Sequence, residues 1–454
     1  MTAIDNPLRS ALFTDLYELT MARAYAAASM DRIAVFELFF RTMPPNRNFI
    51  LAAGLAEVVD YLEAWRFSPS DLEYLGELGG FPGEFLERLA GLRFTGDVYA
   101  VPEGTVVFQG EPILQVVAPL LQAQIVETFL LNQVHYQCVA ASKAARVVLA
   151  AQGRAVVDFG SRRAHGADAA LKAARSAYLA GASGTSNVLA GKRYGLPVYG
   201  TMAHSFVQAH DEEAQAFESF VRLFPETTLL VDTYDTLEGV AEVVRLAARM
   251  GSDFRIRAIR LDSGDLAGLA RQARLMLDGA GLHGVRIFAS SELDEYAIAA
   301  LVRGGASIDA FGVGTRMVVS SDAPELDMVY KLVEYDGAPR AKLSSGKVMY
   351  PGRKQVRRFM EGGRMARDLV CGPGEEPGGD PLLRQVLRQG RATAEGRESL
   401  EVCRTRAAAG LAALPEALRG LDRAGPYPVE YSPALKDGLL ALRAARAVGR
   451  CAPG

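Results

Sequence analysis

At 454 residues the chain exceeds what one ordinary core fills, so two or three domains, or one large α/β barrel with an attached domain, are expected. Apolar residues make up 49% and charged residues 23%, an ordinary soluble globular mixture. The 50 Lys and Arg set against 53 Asp and Glu give a net charge of -3, which argues against a general polyanion binder and makes any phosphate recognition local.

Cys138, Cys371, Cys403 and Cys451 stand apart with no CxxC pair, which suits a reducing compartment and disfavours a zinc site or a disulfide framework. The opening MTAIDNPLRSALFTDLYELTMARAY carries no basic-then-apolar signal segment, and charge or glycine interrupts every long apolar run. A cytoplasmic location is expected.

The stretch from Phe13 to Tyr25 reads as a helix that Thr14 and Asp15 would cap. After VFELFFR (35–41) and a Pro-Pro-Asn break, Ile50 to Trp65 shows the pattern of an amphipathic helix. In 94–117, short β-branched runs separated by Gly-Asp, Pro-Glu-Gly and Gly-Glu-Pro predict a small antiparallel β unit. A long helix is expected from Gln122 to Ala151.

From about residue 155, short apolar runs alternate with helical stretches: AVVDFG (155–160), LPVYGT (196–201), TTLLVDT (227–233), RAIRLDS (257–263), VRIFASS (285–291) and SIDAFGVG (307–314). Continuous apolar character marks strands covered on both faces, and the alternation predicts parallel βαβ units. Six strands are clear and eight are not, so the expected fold class is α/β: an irregular or incomplete barrel. An α+β domain formed from the N-terminal and C-terminal segments would accompany it. After Val318, VYKLVEYDGAPRAKLS reads as strands joined by an Asp-Gly turn, followed by YPGRKQVRRF as loop and strand. Residues 372–396 are expected to run exposed, and about 397 to 448 to be mostly helical. These textures divide the chain into 1–121, 122–318 with the active site, and 319–454, whose β segments return to the first part.

A parallel barrel presents its site at the C-terminal ends of its strands, and the polar residues cluster at those ends. They are Asp158 with Arg162 and Arg163, Thr201 with His204, Asp232, Asp262 with Asp265, Ser290 with Glu292, and Gly312 to Thr315. One such residue is a cap; six in register point to a shared site. Arg162 and Arg163 oppose a helix macrodipole unless an anion is present, and guanidinium groups grip a small carboxylate through paired hydrogen bonds. In RLDSGDL (260–266) two carboxylates flank a glycine, suited to ribose hydroxyls or a hydrated Mg²⁺, although a helix cap explains either one alone. FGVGT (311–315) offers backbone N–H groups and a hydroxyl for phosphate. His204, read by itself, is equally a structural residue or an acid, base or nucleophile. His210 and His135 read as helix-face and core residues.

Together these segments resemble the nicotinate phosphoribosyltransferase family: TDLYELTMA (14–22), FELFFR (36–41), DFGSRRAHG (158–166), GTSNVLAG (184–191), GTMAHSFV (200–207), RLDSGDL (260–266), FGVGT (311–315), VYKLV (329–333) and PGRKQV (351–356). The resemblance implies that Tyr17 covers the pyridine ring, contributed across a homodimer interface. It places Arg162 or Arg163, Thr201 and Arg260 around nicotinate. Asp262 and Asp265 would face ribose and magnesium-pyrophosphate, and Gly312, Gly314 and Thr315 the 5′-phosphate. His204 matches the position phosphorylated from ATP. The implied reaction joins nicotinate and phosphoribosyl pyrophosphate into nicotinate mononucleotide in NAD salvage, with Mg²⁺ and with ATP as co-substrate, and with neither nucleic acid nor membrane as partner. His165 receives no role, and the pattern leaves phosphate contacts by Lys354 or Arg357 open.

Sister enzymes acting on nicotinamide or quinolinate are the nearest rivals. Nicotinamide enzymes carry an acidic residue where GTSN here has Ser186; a quinolinate enzyme would need a denser basic pocket and would lack the AHS motif. A non-catalytic barrel regulator is the rival from another class, since the β unit at 94–117 superficially resembles lipoyl carriers, but its turns hold no lysine.

Overall fold

The structure, a computed structural model, describes residues 10–344 and 349–448. The chain divides into two compact units, Met1–Val139 with Glu325–Gly454, and Ala140–Pro324. Cys451 lies outside the described residues; Cys138, Cys371 and Cys403 are buried.

The first unit centres on an antiparallel sheet ordered Ala338–Pro339, Met328–Tyr335, Ile33–Phe40, Leu114–Pro119, Asp97–Ala100, Arg384–Arg388, Arg391–Ala392. Successive side chains of a strand face opposite sides. Ala34, Phe36, Leu38 and Phe40 therefore enter a large core with Trp65 and Phe129, while Val35 and Phe39 pack with Val333 and Met349. Both faces being covered, IAVFELFF reads as one apolar run rather than an alternation. Its single charge, Glu37, accepts from Lys354 Nζ at 2.7 Å, with both side chains almost wholly buried. Lys354 is thus committed to the sheet interior. Arg357, on strand Gln355–Glu361, donates to the Gly379 carbonyl.

The expected Asp-Gly turn is present: Asp336 (φ 51°) and Gly337 (φ 71°) both take positive φ, as a two-residue hairpin turn requires. Four local expectations change. Residues 372–396 contribute strands Asp380–Pro381, Arg384–Arg388 and Arg391–Ala392, with Val386 and Leu387 fully buried; their Gly and Pro density hid short strands. Ile50–Leu51 pairs with Val106–Val107, so the helix begins only at Leu55. The long helix is two, Leu120–Ile125 and Glu127–Ala150. The first helix spans Leu16–Ala27 with Asp15 at its N-cap position, but the Asp15 side chain accepts from the Thr128 hydroxyl instead of capping.

The second unit holds a six-stranded parallel sheet ordered Gly184–Thr185, Ala155–Asp158, Ala310–Val313, Arg286–Ser290, Ala258–Leu261, Thr228–Leu230. These strands do not close on one another, which is the incomplete barrel the sequence led us to expect. The predicted strand at 196–201 is absent; the two-residue strand Gly184–Thr185 takes the sheet edge, and Val198 adds one isolated bridge to Thr185. Helices Ala167–Leu179, Thr236–Met250, Leu266–Gly279 and Glu295–Arg303 follow their strands. Three of them start alike: Asp235, Asp265 and Asp294 each accept first-turn N–H groups. Among the described residues no helix is long and apolar enough to cross a membrane.

Candidate active site

The strand ends of the second unit surround a cleft of roughly 220 Å³ that includes Arg162, Arg163, Arg260, Asp262, Gly312, Gly314 and Thr315 in its lining. Arg260 organises it from the end of strand Ala258–Leu261. Its Nε donates to Ser290 Oγ (2.7 Å), Nη1 to Thr201 Oγ1 (3.1 Å) and Nη2 to Asp262 Oδ1 (2.8 Å). The guanidinium lies 5.4 Å from the centre of the Phe159 ring, within the range of a cation–π contact. Three of the five N–H donors of the arginine are engaged, and two are left for an anion.

Asp262 is the second hub. Besides Arg260 it accepts from Ser290 Oγ at 2.5 Å, and its Oδ2 stands 3.6 Å from His204 Nε2. Burial pushes its carboxyl upward, but hydrogen bonds from Ser290 and Arg260 prevail and hold it below the usual carboxylate range. His204 opens the short helix His204–Gln208; its Nδ1 lies 3.2 Å from Thr233 Oγ1, and its side chain is 41% exposed. Asp232 supports the loop beneath, its Oδ2 accepting from Asp262 N–H (2.9 Å) and Ser263 Oγ (2.7 Å), while its Oδ1 is buried without a partner.

The two acids of RLDSGDL divide their work. Asp262 faces the cluster, whereas exposed Asp265, three residues on, accepts from Gly268 N–H and caps helix Leu266–Gly279. The same spacing recurs in Asp232 and the capping Asp235. Asp158 also turns out to be internal: nearly fully buried, it accepts from Gly160 N–H and Thr185 Oγ1, and burial raises its pKa.

Arg162 and Arg163 form a single 3₁₀ turn, Ser161–Arg163, and Arg163 Nη1 donates to Thr315 Oγ1 at 3.0 Å. Gly312 has a packing reason to be glycine, because a Cβ there would stand 2.8 Å from the Phe159 and Phe288 rings. Gly314 precedes a helix of only four residues, Thr315–Val318. Tyr17 belongs to the first unit, on helix Leu16–Ala27, where its ring is 48% exposed and its phenol is raised by burial and by Glu127 and Glu18. His165 is exposed. His135 Nε2 accepts from Leu326 N–H in the first unit, and His210, beyond its helix, lies 2.9 Å from the Phe206 carbonyl oxygen and 3.1 Å from Ser219 Oγ.

Sequence reading missed Phe159 beneath Arg260, Thr233 beside His204, and Ser291. The last lines the cleft at φ 151°, a conformation that L side chains rarely adopt and that clusters at functional sites. The Ser-Ser pair at a strand end was the only available signal for it. Among the described residues no group of three or more His, Cys, Asp or Glu is placed to hold a metal ion.

Two family models match the chain: the nicotinate phosphoribosyltransferase N-terminal domain over residues 12–135 and the nicotinate phosphoribosyltransferase family over residues 154–361. The chain is similar to nicotinate phosphoribosyltransferase pncB2 of Mycobacterium tuberculosis, 59% identical over 434 residues that cover 95% of this chain and 94% of that protein. It is 46% identical over 357 residues to the nicotinate phosphoribosyltransferase of Bacillus subtilis, covering 77% of this chain and 73% of that one. Human nicotinic acid phosphoribosyltransferase superposes with a TM-score of 0.84 at 31% identity, covering 94% of this chain and 99% of that structure.

Proposed function

The chain belongs to the nicotinate phosphoribosyltransferase family, and on that premise we propose that it forms nicotinate mononucleotide and pyrophosphate from nicotinate and 5-phosphoribosyl 1-pyrophosphate, with ATP hydrolysis coupled through phosphorylation of His204. The observation that carries the reading is Arg260, fixed by three neighbours in a cleft and left with donors for a planar carboxylate. Arg162, Arg163 and Arg260 outnumber Asp262 and Glu292 among the lining side chains, which favours an anionic ring substituent over an amide. Arg163, held by Thr315, falls to the phosphate end with Gly312 and Gly314; Arg162, Thr201 and Arg260 fall to nicotinate.

In the reaction the pyridine nitrogen bonds to the anomeric carbon as its bond to pyrophosphate breaks, with positive charge building on the ribose. The protein orients the two partners and stabilises the leaving anion, so no nucleophilic side chain on the sugar is required. Mg²⁺ accompanying the pyrophosphate would meet the protein at the cleft-facing carboxylate of Asp262. One or two carboxylates would then suffice: Asp262 would hold it from the cleft, and Asp265 would join only by leaving its cap on Gly268 N–H. Bound there, it would neutralise leaving-group charge. In the coupling step a nitrogen of the half-exposed His204 ring bonds to the γ-phosphorus of ATP, ADP departs with the broken P–O bond, and water later takes the phosphoryl group. A phosphate set beside Asp262 adds repulsive charge and so resets the Asp262–Arg260 arrangement. Tyr17, exposed on its helix, covers the pyridine ring across a homodimer interface.

Product identification tests the proposal. Given phosphoribosyl pyrophosphate and Mg²⁺, the protein should convert nicotinate, but neither nicotinamide nor quinolinate, to a mononucleotide. ATP should raise the yield in wild type and not in His204→Ala. A nicotinamide product, or CO₂ released from quinolinate, overturns the substrate assignment; ATP stimulation that survives in His204→Ala overturns the coupling.

A further inference from the structure

Three neighbouring strands of the parallel sheet, Ala155–Asp158, Ala310–Val313 and Arg286–Ser290, end in loops that wall the cleft. Side chains lace these loops together in sheet order. Arg163 on the first loop donates to Thr315 on the second. Arg316, the next residue, reaches the third: its Nη1 donates to Asp294 Oδ2 at 2.8 Å and its Nη2 stands 3.6 Å from Glu292 Oε2. Glu292 itself lines the cleft, and the strained Ser291 lies beside it.

Below this tie is a second one. Lys143, on helix Glu127–Ala150, pairs with Glu295 at 2.5 Å and Asp322 at 2.7 Å, and Arg146 adds a contact to Glu295 at 2.9 Å. Lys143 thereby fixes the root of the third loop's helix and the segment after the second loop, with Lys143, Arg146 and Glu295 almost wholly buried. A rigid base leaves the upper spacing of the two loops to Arg316. Its side chain is 45% exposed, and an exposed ion pair contributes little to global stability. Its consequence is therefore geometric.

We propose that Arg316 is a positioning residue for the phosphate end of the phosphoribosyl substrate, setting the gap between the Gly314–Thr315 loop and the Ser291–Asp294 loop through Asp294 and Glu292. This rests on the function proposed above and adds to it a residue outside the cleft lining. Small displacements of positioning groups cost rate and affinity steeply, and here the loss should fall on one substrate only.

Kinetics of Arg316→Met, Arg316→Lys and Asp294→Asn test this. Asparagine at 294 keeps an oxygen for the helix cap but removes the charge that holds Arg316. Arg316→Met should raise the KM for phosphoribosyl pyrophosphate about tenfold while the KM for nicotinate and the Tm move little. Arg316→Lys should recover part of the loss, and Arg316→Met with Asp294→Asn should be no worse than Arg316→Met alone. An unchanged KM, a fall in Tm alone, or additive losses in the double variant overturn the proposal; additivity would mean that Arg316 meets the substrate directly. If the wild type fails to bind phosphoribosyl pyrophosphate at all, the proposed function falls and the positioning role with it. If the wild type binds it and Arg316→Met is indifferent, only the positioning role falls.

Discussion

Arg358 and Arg260 each hold an aspartate, yet they teach opposite lessons. Arg358 grips Asp368 through Nε and Nη2, the Tyr427 hydroxyl closes over the same carboxylate, and the arginine and aspartate side chains are 6% and 0% exposed. Those donors are spent on a buried carboxylate, as is Lys354 on Glu37. Arg260 and Asp262 are 14% and 28% exposed, share their bonds with Ser290, Thr201 and His204, and face a cleft. A charged pair sealed from solvent joins strands; one with spare donors beside an opening can do chemistry.

The difference can be broken from the sealed side. Lys354→Met strands Glu37 in the sheet, and removing one partner of a buried pair costs about 3–5 kcal/mol. Because Gln115 Nε2 still reaches Glu37 at 3.4 Å, the loss should lie near the low end, about 3 kcal/mol by urea unfolding. Substrate KM values should hold at temperatures where the variant is folded. A normal unfolding midpoint together with a raised KM for phosphoribosyl pyrophosphate would return Lys354 to the site.

Glu18 sharpens the comparison with a smaller effect. It is fully buried beside Glu127, Gln124 Nε2 donates to both carboxyls, and burial and Glu127 push its pKa up to about 8. An acid raised on folding favours the native state most below its unfolded value, and that contribution is lost as pH climbs through the folded one. Wild-type stability should therefore decline between about pH 4.5 and 8 more than that of Glu18→Gln. Parallel curves across that window would show that Glu18 is already ionised in the native state.

Much of this was legible in the sequence, for physical reasons. The parallel strands announced themselves through unbroken apolar runs, and the Asp-Gly hairpin through the one dipeptide suited to two positive φ values. The polar strand ends marked the cleft. The partners were not legible. Both acids follow Arg260 in RLDSGDL, and the partner that marks Asp262 as the inward one, Ser290, stands on the neighbouring strand. A phosphate contact by Lys354 in PGRKQV stayed open in the sequence, because its partner Glu37 lies 317 residues away. Gly184–Thr185 was too short to carry a pattern, and the apolar run at 196–201 was read as a strand where only one isolated bridge forms.

The central claim is that the half-open cluster around Arg260 is where the pyridine carboxylate is held. Arg260→Ala, assayed for nicotinate turnover and thermal unfolding on the same preparation, tests it most directly. Losing a charged, partly desolvated carboxylate contact together with the orientation of Asp262 should lower kcat/KM for nicotinate by roughly a thousandfold, about 4 kcal/mol, with Tm shifted by only a few degrees. An unchanged kcat/KM, or a collapse in Tm that by itself accounts for the lost activity, would put Arg260 with Arg358 among the residues that only hold the fold together.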